Sequence, residues 1–280
     1  MANVTISRII DSIHFGDQMF RTLRDVRVAK GTMDQPRFVV GRHSVLFDVK
    51  IEGVRYGLKC YTSPQPLLEE VCTLAAEIPS DVLIHPIPLL QELWVGDRWL
   101  DVALYPWVEG RSFAWEIRKA LYDQKSYSFE ALLDGFGSLM GTMLSSEWRH
   151  GDIKPDNIIV HKDRSMTLVD CDAIFTPSLP SRGETGTPPF VHPARGEAYD
   201  NHIDDYAISL ITTSLSALAR EPRMVVSEPM VSLPTEGHGA LLLELFEGNE
   251  ALLYLLRQLS APDYKITNLK TSLKECIKHR

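Results

Sequence analysis

Two parts of the first 105 residues alternate between apolar and polar positions with the two-residue period of β-strands. Residues 38–62 carry this alternation in β-branched and aromatic side chains, and Glu52-Gly53 has the composition of a tight turn. A second pair of runs, ELWV and RWLDVALY, is separated by Gly96-Asp97. The pattern predicts five strands joined as antiparallel hairpins, namely PRFVVG, SVLFDVKI, VRYGLKCY, ELWV and RWLDVALY.

One helix is predicted between these two groups of strands. Pro66 is placed to open it and Pro79 to close it. Its apolar positions recur at helical spacing, and they are Leu67, Val71, Leu74, Ala75 and Ile78. Ahead of the strands, residues 1–36 are expected to form a partly helical extension that either regulates the β-rich lobe or merely covers its surface.

After Glu109-Gly110 the pattern becomes helical and is interrupted by one short hairpin. Helices are predicted at 112–123, 128–146, 203–219, 239–259 and 267–278, and the hairpin pairs 158–160 with 166–169. We therefore expect an α+β protein with a two-lobe architecture. A small antiparallel β-sheet lobe with one helix, residues 37–108, follows the extension 1–36 and precedes a larger, mainly α-helical lobe, residues 109–280.

The composition of the 280-residue chain excludes several classes of function. Its net charge of −8 argues against nucleic acid as a main partner, because phosphate binding depends on excess Lys and Arg. The four cysteines include no C-x-x-C pair and suggest reduced thiols rather than disulfides or a zinc site. The longest uncharged stretch, residues 206–219, is too short and polar to span a membrane. We expect a cytoplasmic protein without a membrane partner.

The short hairpin brings together side chains suited to a cation. Pairing 158 with 169, 159 with 168 and 160 with 167 places Asn157 opposite Asp170, just beyond the strand ends. An amide oxygen and a carboxylate about 5 Å apart can share one hard cation such as Mg²⁺. Upstream, Asp152 can accept a hydroxyl proton, and Lys154 supplies a positive charge two residues later. These groups are suited to phosphoryl transfer.

The segment HGDIKPDN, residues 150–157, followed by LVDCD, resembles the catalytic loop and metal motif of protein kinases. The order and spacing of the motifs over residues 37–260 are similar to those of the protein kinase-like superfamily. The pair D-x-D and x-H-P points to its bacterial serine/threonine protein kinase-like branch. The resemblance implies that Asp152 is the catalytic base, that Lys154 neutralises phosphate charge, and that Asn157 and Asp170 bind Mg²⁺.

The resemblance also implies supporting residues around this loop. GTPPFVHP, residues 186–193, resembles the end of the kinase activation segment and lies in a stretch rich in proline and glycine. In that family's terms Thr187 braces Asp152 and Lys154, and His150 has a structural role. Asp204, at the start of a buried helix, would support the catalytic loop.

In the small lobe the resemblance implies an ATP site. Lys59 ends a strand where protein kinases place the lysine that binds the α- and β-phosphates. Its expected helix partner is Glu70, with Glu77 as the alternative, because both share the face of Leu67 and Leu74. The hinge resembles residues 103–110, so Tyr105, Trp107 and Val108 would lie along the adenine. Only Gly41 remains of the glycine-rich loop.

Three motifs depart from the usual kinase pattern. Gly151 replaces the arginine of the His-Arg-Asp triplet, Asp170-Cys171-Asp172 replaces Asp-Phe-Gly, and His192-Pro193-Ala194 replaces Ala-Pro-Glu. Without an arginine at position 151 there is no cationic pocket for a phosphorylated activation loop. We therefore expect an activity that does not depend on such phosphorylation.

The function implied is that of an ATP- and Mg²⁺-dependent protein kinase acting on Ser or Thr hydroxyls of a protein substrate. Lys154 carries the Ser/Thr preference. Two alternatives remain open. One is a small-molecule phosphotransferase of the aminoglycoside or choline kinase type, and the other is a catalytically inactive pseudokinase that serves as a scaffold.

Overall fold

The computed structural model describes residues 4–31, 35–41, 43–181, 183, 186–224 and 239–278. The chain divides into two compact units, with the boundary between Glu109 and Gly110. Both strands and helices are present, and the sheets are antiparallel, so the protein is α+β. Among these residues no helix combines the length and the apolar character needed to cross a membrane.

The first unit is built on a six-stranded antiparallel sheet. The strands follow the order β1-β3-β4-β6-β5, and β2 pairs with β3 beside β1. The strands are β1 (Val26–Val28), β2 (Phe38–Val40), β3 (Ser44–Ile51), β4 (Val54–Tyr61), β5 (Ile87–Val95) and β6 (Arg98–Pro106). The two predicted hairpins are therefore confirmed, and β1 is an additional strand that the sequence pattern did not indicate.

The turns of these hairpins follow from their residues. Glu52 and Gly53 both have positive φ, which suits the turn between β3 and β4. Gly96 provides the same left-handed backbone between β5 and β6. Beside this second turn, Trp94 pairs across the strands with Trp99, and their rings meet edge to face at 5.3 Å.

Residues 4–28, which lie in the predicted N-terminal extension, contribute to the core of the first unit. Helix α1 (Ile6–His14) buries Ile9 and Ile13 in the same apolar cluster as the strands, and Phe20 joins them. The buried Glu92 on β5 ties this segment to the sheet, because its carboxylate accepts hydrogen bonds from both the N–H and the hydroxyl of Thr22. Residues 4–28 thus complete the sheet's hydrophobic core.

Helix α2 (Leu68–Ala76) lies between β4 and β5 as predicted, but its buried face has a different phase. The buried positions are Leu68, Val71, Cys72 and Ala75. Leu67 and Leu74, which set the predicted stripe, are only half-buried. The sequence offered apolar residues for both phases, and the structure buries Leu68 and Cys72 in place of Leu67 and Leu74.

The second unit combines a small three-stranded sheet with six helices among the described residues. The sheet has the order β7-β8-β9. Its strands are β7 (Arg111–Ser112), β8 (Ile158–Val160) and β9 (Met166–Leu168). The helices are α3 (Phe113–Asp123), α4 (Ser126–Met143), α5 (Asp205–Arg220), α6 (Gly239–Leu245), α7 (Glu250–Gln258) and α8 (Leu269–Lys278).

Helix α5 forms the centre of this unit. It is buried along almost its whole length and packs against α4, α7 and α8. The helix predicted at 239–259 is instead two helices, because Gly248 has positive φ and Asn249 caps α7 through a side-chain bond to the N–H of Leu252. The N-terminal end of α5 lies next to the loop that contains Asp152. Asp204, which directly precedes the helix, binds two backbone N–H groups of that loop.

Candidate active site

The loop from Arg149 to Asn157 is fixed at both ends by backbone hydrogen bonds. Arg149 and Phe175 exchange two N–H···O bonds of 2.9 Å. At the other end the carbonyl of Asn157 accepts the N–H of Val169 at 2.9 Å. The loop therefore has a defined path between α4 and β8.

Asp204 supports this loop from below. Its buried carboxylate accepts the backbone N–H of His150 at 2.7 Å and that of Gly151 at 2.9 Å. Burial raises the pKa of Asp204, while His150, these N–H groups and Arg195 act in the opposite direction. The resemblance implied a supporting position for Asp204, and the structure brings this residue to the loop.

The His150 ring is held by two backbone groups. Its Nδ1 accepts the N–H of Asp152 at 3.3 Å, which leaves the hydrogen on Nε2 for the carbonyl of Val169 at 3.0 Å. The ring joins the loop to the segment that ends in Asp170, and it is completely buried. His150 is therefore a structural residue of the site.

Gly151 has a backbone reason to be glycine. Its φ is +83°, and a Cβ at this position would overlap the carbonyl oxygen of Ala173. No L-amino acid with a side chain fits here without moving the backbone. The departure from the kinase triplet at this residue is thus built into the path of the loop.

The two oxygens of Asp152 have different environments. Oδ2 accepts hydrogen bonds from the Lys154 ammonium at 2.6 Å and from the Asn157 amide at 3.1 Å. Oδ1 is buried and has no hydrogen-bond partner among the described residues. A buried carboxylate oxygen that lacks a donor is costly, and it is suited to accept one from a bound molecule.

Lys154 connects Asp152 to the irregular segment that contains Thr187. The ammonium group binds the hydroxyl of Thr187 at 2.9 Å as well as the Asp152 carboxylate. The structure thus brings Asp152, Lys154, Asn157 and Thr187 together in one hydrogen-bonded group. A positive charge beside the carboxylate and the amide gives the site both an acceptor and a cation.

Asn157 presents an oxygen in a fixed orientation. Its Nδ2 donates to the carbonyl of Asp152 at 2.9 Å and to Asp152 Oδ2 at 3.1 Å, and these two bonds fix the amide group. No donor among the described residues binds Asn157 Oδ1. Asp170 has a φ of +70°, and its carboxylate accepts the N–H of Asp172 at 3.4 Å. Both residues offer oxygen ligands of the type that Mg²⁺ prefers.

The register of the β8–β9 hairpin corrects the prediction by one residue. Ile158 pairs with Leu168, so Val169 rather than Asp170 lies opposite Asn157. The loop closes one residue earlier than expected, since the N–H of His161 binds the carbonyl of Ser165. The Asp163 carboxylate stabilises this shorter turn by accepting the N–H and hydroxyl of Ser165, an interaction that strand alternation does not reveal.

Two residues of the following segment, His192 and Arg195, also contribute to the site. His192 accepts the N–H of Ala194 on Nδ1 and donates from Nε2 to the carbonyl of Ala261, so it anchors the end of the segment. Arg195 is buried and donates to the carbonyl of Gly151. The x-H-P triplet pointed to His192, whereas no feature of the sequence indicated Arg195.

In the first unit Lys59 is only 6% exposed, and its ammonium lies 5.5 Å from the centre of the Tyr61 ring and 6.0 Å from that of Tyr105. Its expected partner is Glu70, with Glu77 as the alternative. Glu70 lies on the exposed face of α2, opposite its buried stripe, and Glu77 is exposed just after the helix ends. The phase of α2 thus turns Glu70 away from the side that the helix buries.

Two of the predicted ATP-site residues, Trp107 of the hinge and Gly41, form contacts within the first unit. The Trp107 N–H donates to the carbonyl of Arg55, and the Arg55 guanidinium lies 3.4 Å from the centre of the indole ring. Trp107 therefore contacts Arg55 through both its backbone and its indole ring. Val108 is half-buried. The Gly41 N–H binds the carbonyl of Ser44 and closes a tight turn between β2 and β3.

Two further residues lie beside Tyr105. A Cβ added to Gly57 would be 3.1 Å from the Leu46 side chain and 3.7 Å from the Cβ of Tyr105. Leu46 is 38% exposed although it lies on a central strand. This apolar surface was not predicted, and the available signal was the place of Gly57 two residues before Lys59.

Among the described residues no group of three or more His, Cys, Asp or Glu side chains could hold a metal ion. No protein-family model matches the chain, and no curated protein sequence matches it either. The site is therefore interpreted from its own geometry.

Proposed function

We propose that the chain is an ATP- and Mg²⁺-dependent protein kinase that phosphorylates Ser or Thr hydroxyls. The observation that carries this proposal is the asymmetry of Asp152. One of its oxygens is held by Lys154 and Asn157, whereas the other is buried without a donor among the described residues. An acceptor hydroxyl would supply the missing donor and transfer its proton to that oxygen.

The residues around Asp152 would divide the remaining tasks. Lys154 would neutralise charge on the transferred phosphoryl group, and its bond to Thr187 supports a fixed position for the ammonium group. Thr187 also ties the segment that would bind the acceptor to the loop that carries the base. Asp204 would keep the loop in place, since it holds two consecutive N–H groups.

The donor set fits Mg²⁺. The oriented Oδ1 of Asn157 and the Asp170 carboxylate are hard oxygen ligands, and two protein ligands suffice when phosphates and water complete the coordination. When bound, Mg²⁺ would neutralise the charge that develops on the phosphate oxygens. In the first unit Lys59 would bind the α- and β-phosphates, and the apolar surface of Leu46 and Tyr105 would receive the adenine.

The cysteines support a cytoplasmic location for the protein. The net charge favours a protein over a nucleic acid as its partner. All four cysteines are unpaired and buried, as in proteins kept in a reducing compartment. The net charge of −8 argues against a nucleic acid acceptor.

A second candidate is a kinase-like module without catalytic activity. Two features favour it, namely that Glu70 is exposed on the side of α2 away from its buried face and that the Gly41 N–H is engaged in its own turn. In active protein kinases the lysine–glutamate pair must be formed. The chemistry retained at Asp152 favours the enzyme.

A binding experiment separates these functions. A ligand that binds the folded state raises the melting temperature, so ATP with Mg²⁺ is expected to stabilise the wild-type protein more than ATP alone. Asp170→Asn is expected to remove the Mg²⁺-dependent part of the shift. Phosphoamino acid analysis of a labelled generic protein substrate would then show phosphoserine or phosphothreonine. Stabilisation without protein labelling favours a small-molecule acceptor, and no shift favours the inactive module.

A further inference from the structure

Arg195 is a buried cation that joins three parts of the second unit. Its side chain is buried, and Nη1 donates to the carbonyls of Gly151 at 3.5 Å and Ile203 at 3.3 Å. Nε donates to the carbonyl of Ala198 at 3.4 Å. One guanidinium thus connects the loop of Asp152, the approach to α5 and the turn that follows Arg195 itself.

The charge of Arg195 has no direct ion-pair partner among the described residues. Burial lowers its pKa, and the carboxylates of Asp204 and Asp152 provide the largest opposing attraction. A buried charge without a paired counter-ion is expensive, so the surrounding carbonyls must hold it firmly. The two carboxylates that act on it most are the one that supports the loop and the one proposed as the base.

The approach of Arg195 to the loop depends on glycine. Gly186 has a φ of +73°, and a Cβ there would lie 3.2 Å from both Arg195 Nη1 and the Gly151 carbonyl oxygen. Gly186, Gly151 and Arg195 therefore meet at one point. The missing side chain of Gly186 leaves room for the Arg195 guanidinium beside the Gly151 carbonyl, and it also leaves room for Val191, whose Cγ2 would lie 2.8 Å from the added Cβ.

We propose that Arg195 is a positioning residue that fixes the Gly151 carbonyl, and through it Asp152, so that the loop is held without a phosphorylated side chain. The position of Gly151 leaves no room for an arginine on the loop itself. Arg195 supplies the cation from within the folded segment instead. This inference rests on the proposed function for its catalytic consequence, but the ordering of the loop can be measured separately.

The first test measures loop order without an activity assay. Hydrogen exchange is compared between wild type, Arg195→Met and Arg195→Lys, with the peptide covering α4 as the internal reference. We expect faster exchange of residues 150–153 in Arg195→Met, and an intermediate rate in Arg195→Lys. Equal exchange of this loop in all three proteins would overturn the proposal, whether or not the protein is a kinase.

The second test uses phosphoryl transfer to a protein. Misplacing a catalytic group by about 1 Å costs on the order of a hundredfold, so Arg195→Met is expected to lower kcat about 30- to 100-fold and to leave the KM for ATP nearly unchanged. Added guanidinium ion is expected to restore part of the activity of Arg195→Gly. Phosphatase treatment of the wild-type protein is expected to leave its activity intact.

The matched control is Arg149→Lys. Arg149 is also a buried arginine bound to backbone carbonyls, those of Asn201, Met143, Ser146 and Trp148, but it has no bond to Gly151. Arg149→Lys is expected to lower the melting temperature but to reduce kcat less than Arg195→Lys does. Equal kcat losses at equal loss of stability would reduce Arg195 to a structural residue. If the wild-type protein transfers no phosphoryl group to a protein, the proposed function is rejected. The role of Arg195 in ordering the loop is then decided by the hydrogen-exchange result alone.

Discussion

The α-carbon of Gly151 lies against the carbonyl oxygen of Ala173, so closely that a Cβ at position 151 would overlap that oxygen. The residue directly before the proposed base is therefore restricted to glycine by its neighbour as well as by its positive φ. This contact connects the loop of Asp152 with the segment that follows Asp170. The positions of Asp152, the proposed base, and Asp170, a proposed Mg²⁺ ligand, therefore depend on the same backbone contact.

The contact makes Gly151→Ala strongly destabilising. A left-handed backbone costs a non-glycine residue about 1–2 kcal/mol, and the overlap adds backbone movement, so we expect a total loss of about 3 kcal/mol or more. Gly248→Ala is the control, because its φ is +79° and no atom lies within 4 Å of the added Cβ. Urea unfolding measures both variants. Equal losses would show that the Ala173 contact has no energetic effect.

Glu92 is expected to hold the N-terminal segment on the sheet. Its carboxylate accepts three hydrogen bonds from Thr22 and Leu23, and it is buried. Glu92→Ala leaves these donors unsatisfied and should lower the free energy of unfolding by about 2–4 kcal/mol, whereas Glu92→Gln, which keeps an acceptor, should lose about 1 kcal/mol. If both variants unfold at the wild-type urea concentration, the segment is held by its apolar side chains alone.

Asp205 is expected to make stability depend on pH. Burial raises its pKa from 3.8 to about 6, against the opposing bonds from the Ile266 N–H and from His202. Because the folded state binds the proton more tightly, the stabilising contribution is complete below pH 3.8 and is lost as pH rises through about 6.

Asp205→Asn removes this titration while keeping an acceptor for both bonds. The unfolding free energy of the variant relative to wild type should therefore improve between about pH 4 and about pH 7. Urea titrations of the two proteins at both pH values give the difference directly. A difference that stays constant, or that falls with pH, contradicts the assigned direction.

Thr187 is expected to act through the position of Lys154. Thr187→Val keeps the shape of the side chain but removes the hydroxyl that binds the ammonium at 2.9 Å. We expect about a tenfold lower kcat with little change in melting temperature. Thr187→Ser restores the hydroxyl and should recover most of the rate. Full activity of the valine variant would mean that Lys154 needs no such partner.

The sequence allowed the strands and several site residues to be predicted because these depend on local patterns. Alternation and turn composition identified the β3–β4 hairpin, with Glu52 and Gly53 in the left-handed conformation. The resemblance of HGDIKPDN and of residues 204–208 to protein kinase motifs indicated residues that the structure does bring together. Such signals come from neighbours along the chain.

The features that could not be predicted depend on contacts between distant residues. The β8–β9 register is set by the turn bonds of Asp163, and the phase of α2 is set by which side packs on the sheet. The contact of Arg195 with Gly151 spans 44 positions and has no counterpart in any local motif. The burial of Ile9 and Phe20 likewise depends on the whole sheet.

The most direct test of the central claim is transfer of labelled γ-phosphate from ATP and Mg²⁺ to a protein, compared between Asp152→Asn and Asp156→Asn. Asp156 is a matched control, because it is an exposed carboxylate in the same loop. The account predicts that Asp152→Asn loses about a thousandfold in kcat while Mg²⁺-dependent ATP binding persists, and that Asp156→Asn remains close to wild type. Transfer by Asp152→Asn at the wild-type rate would contradict the account.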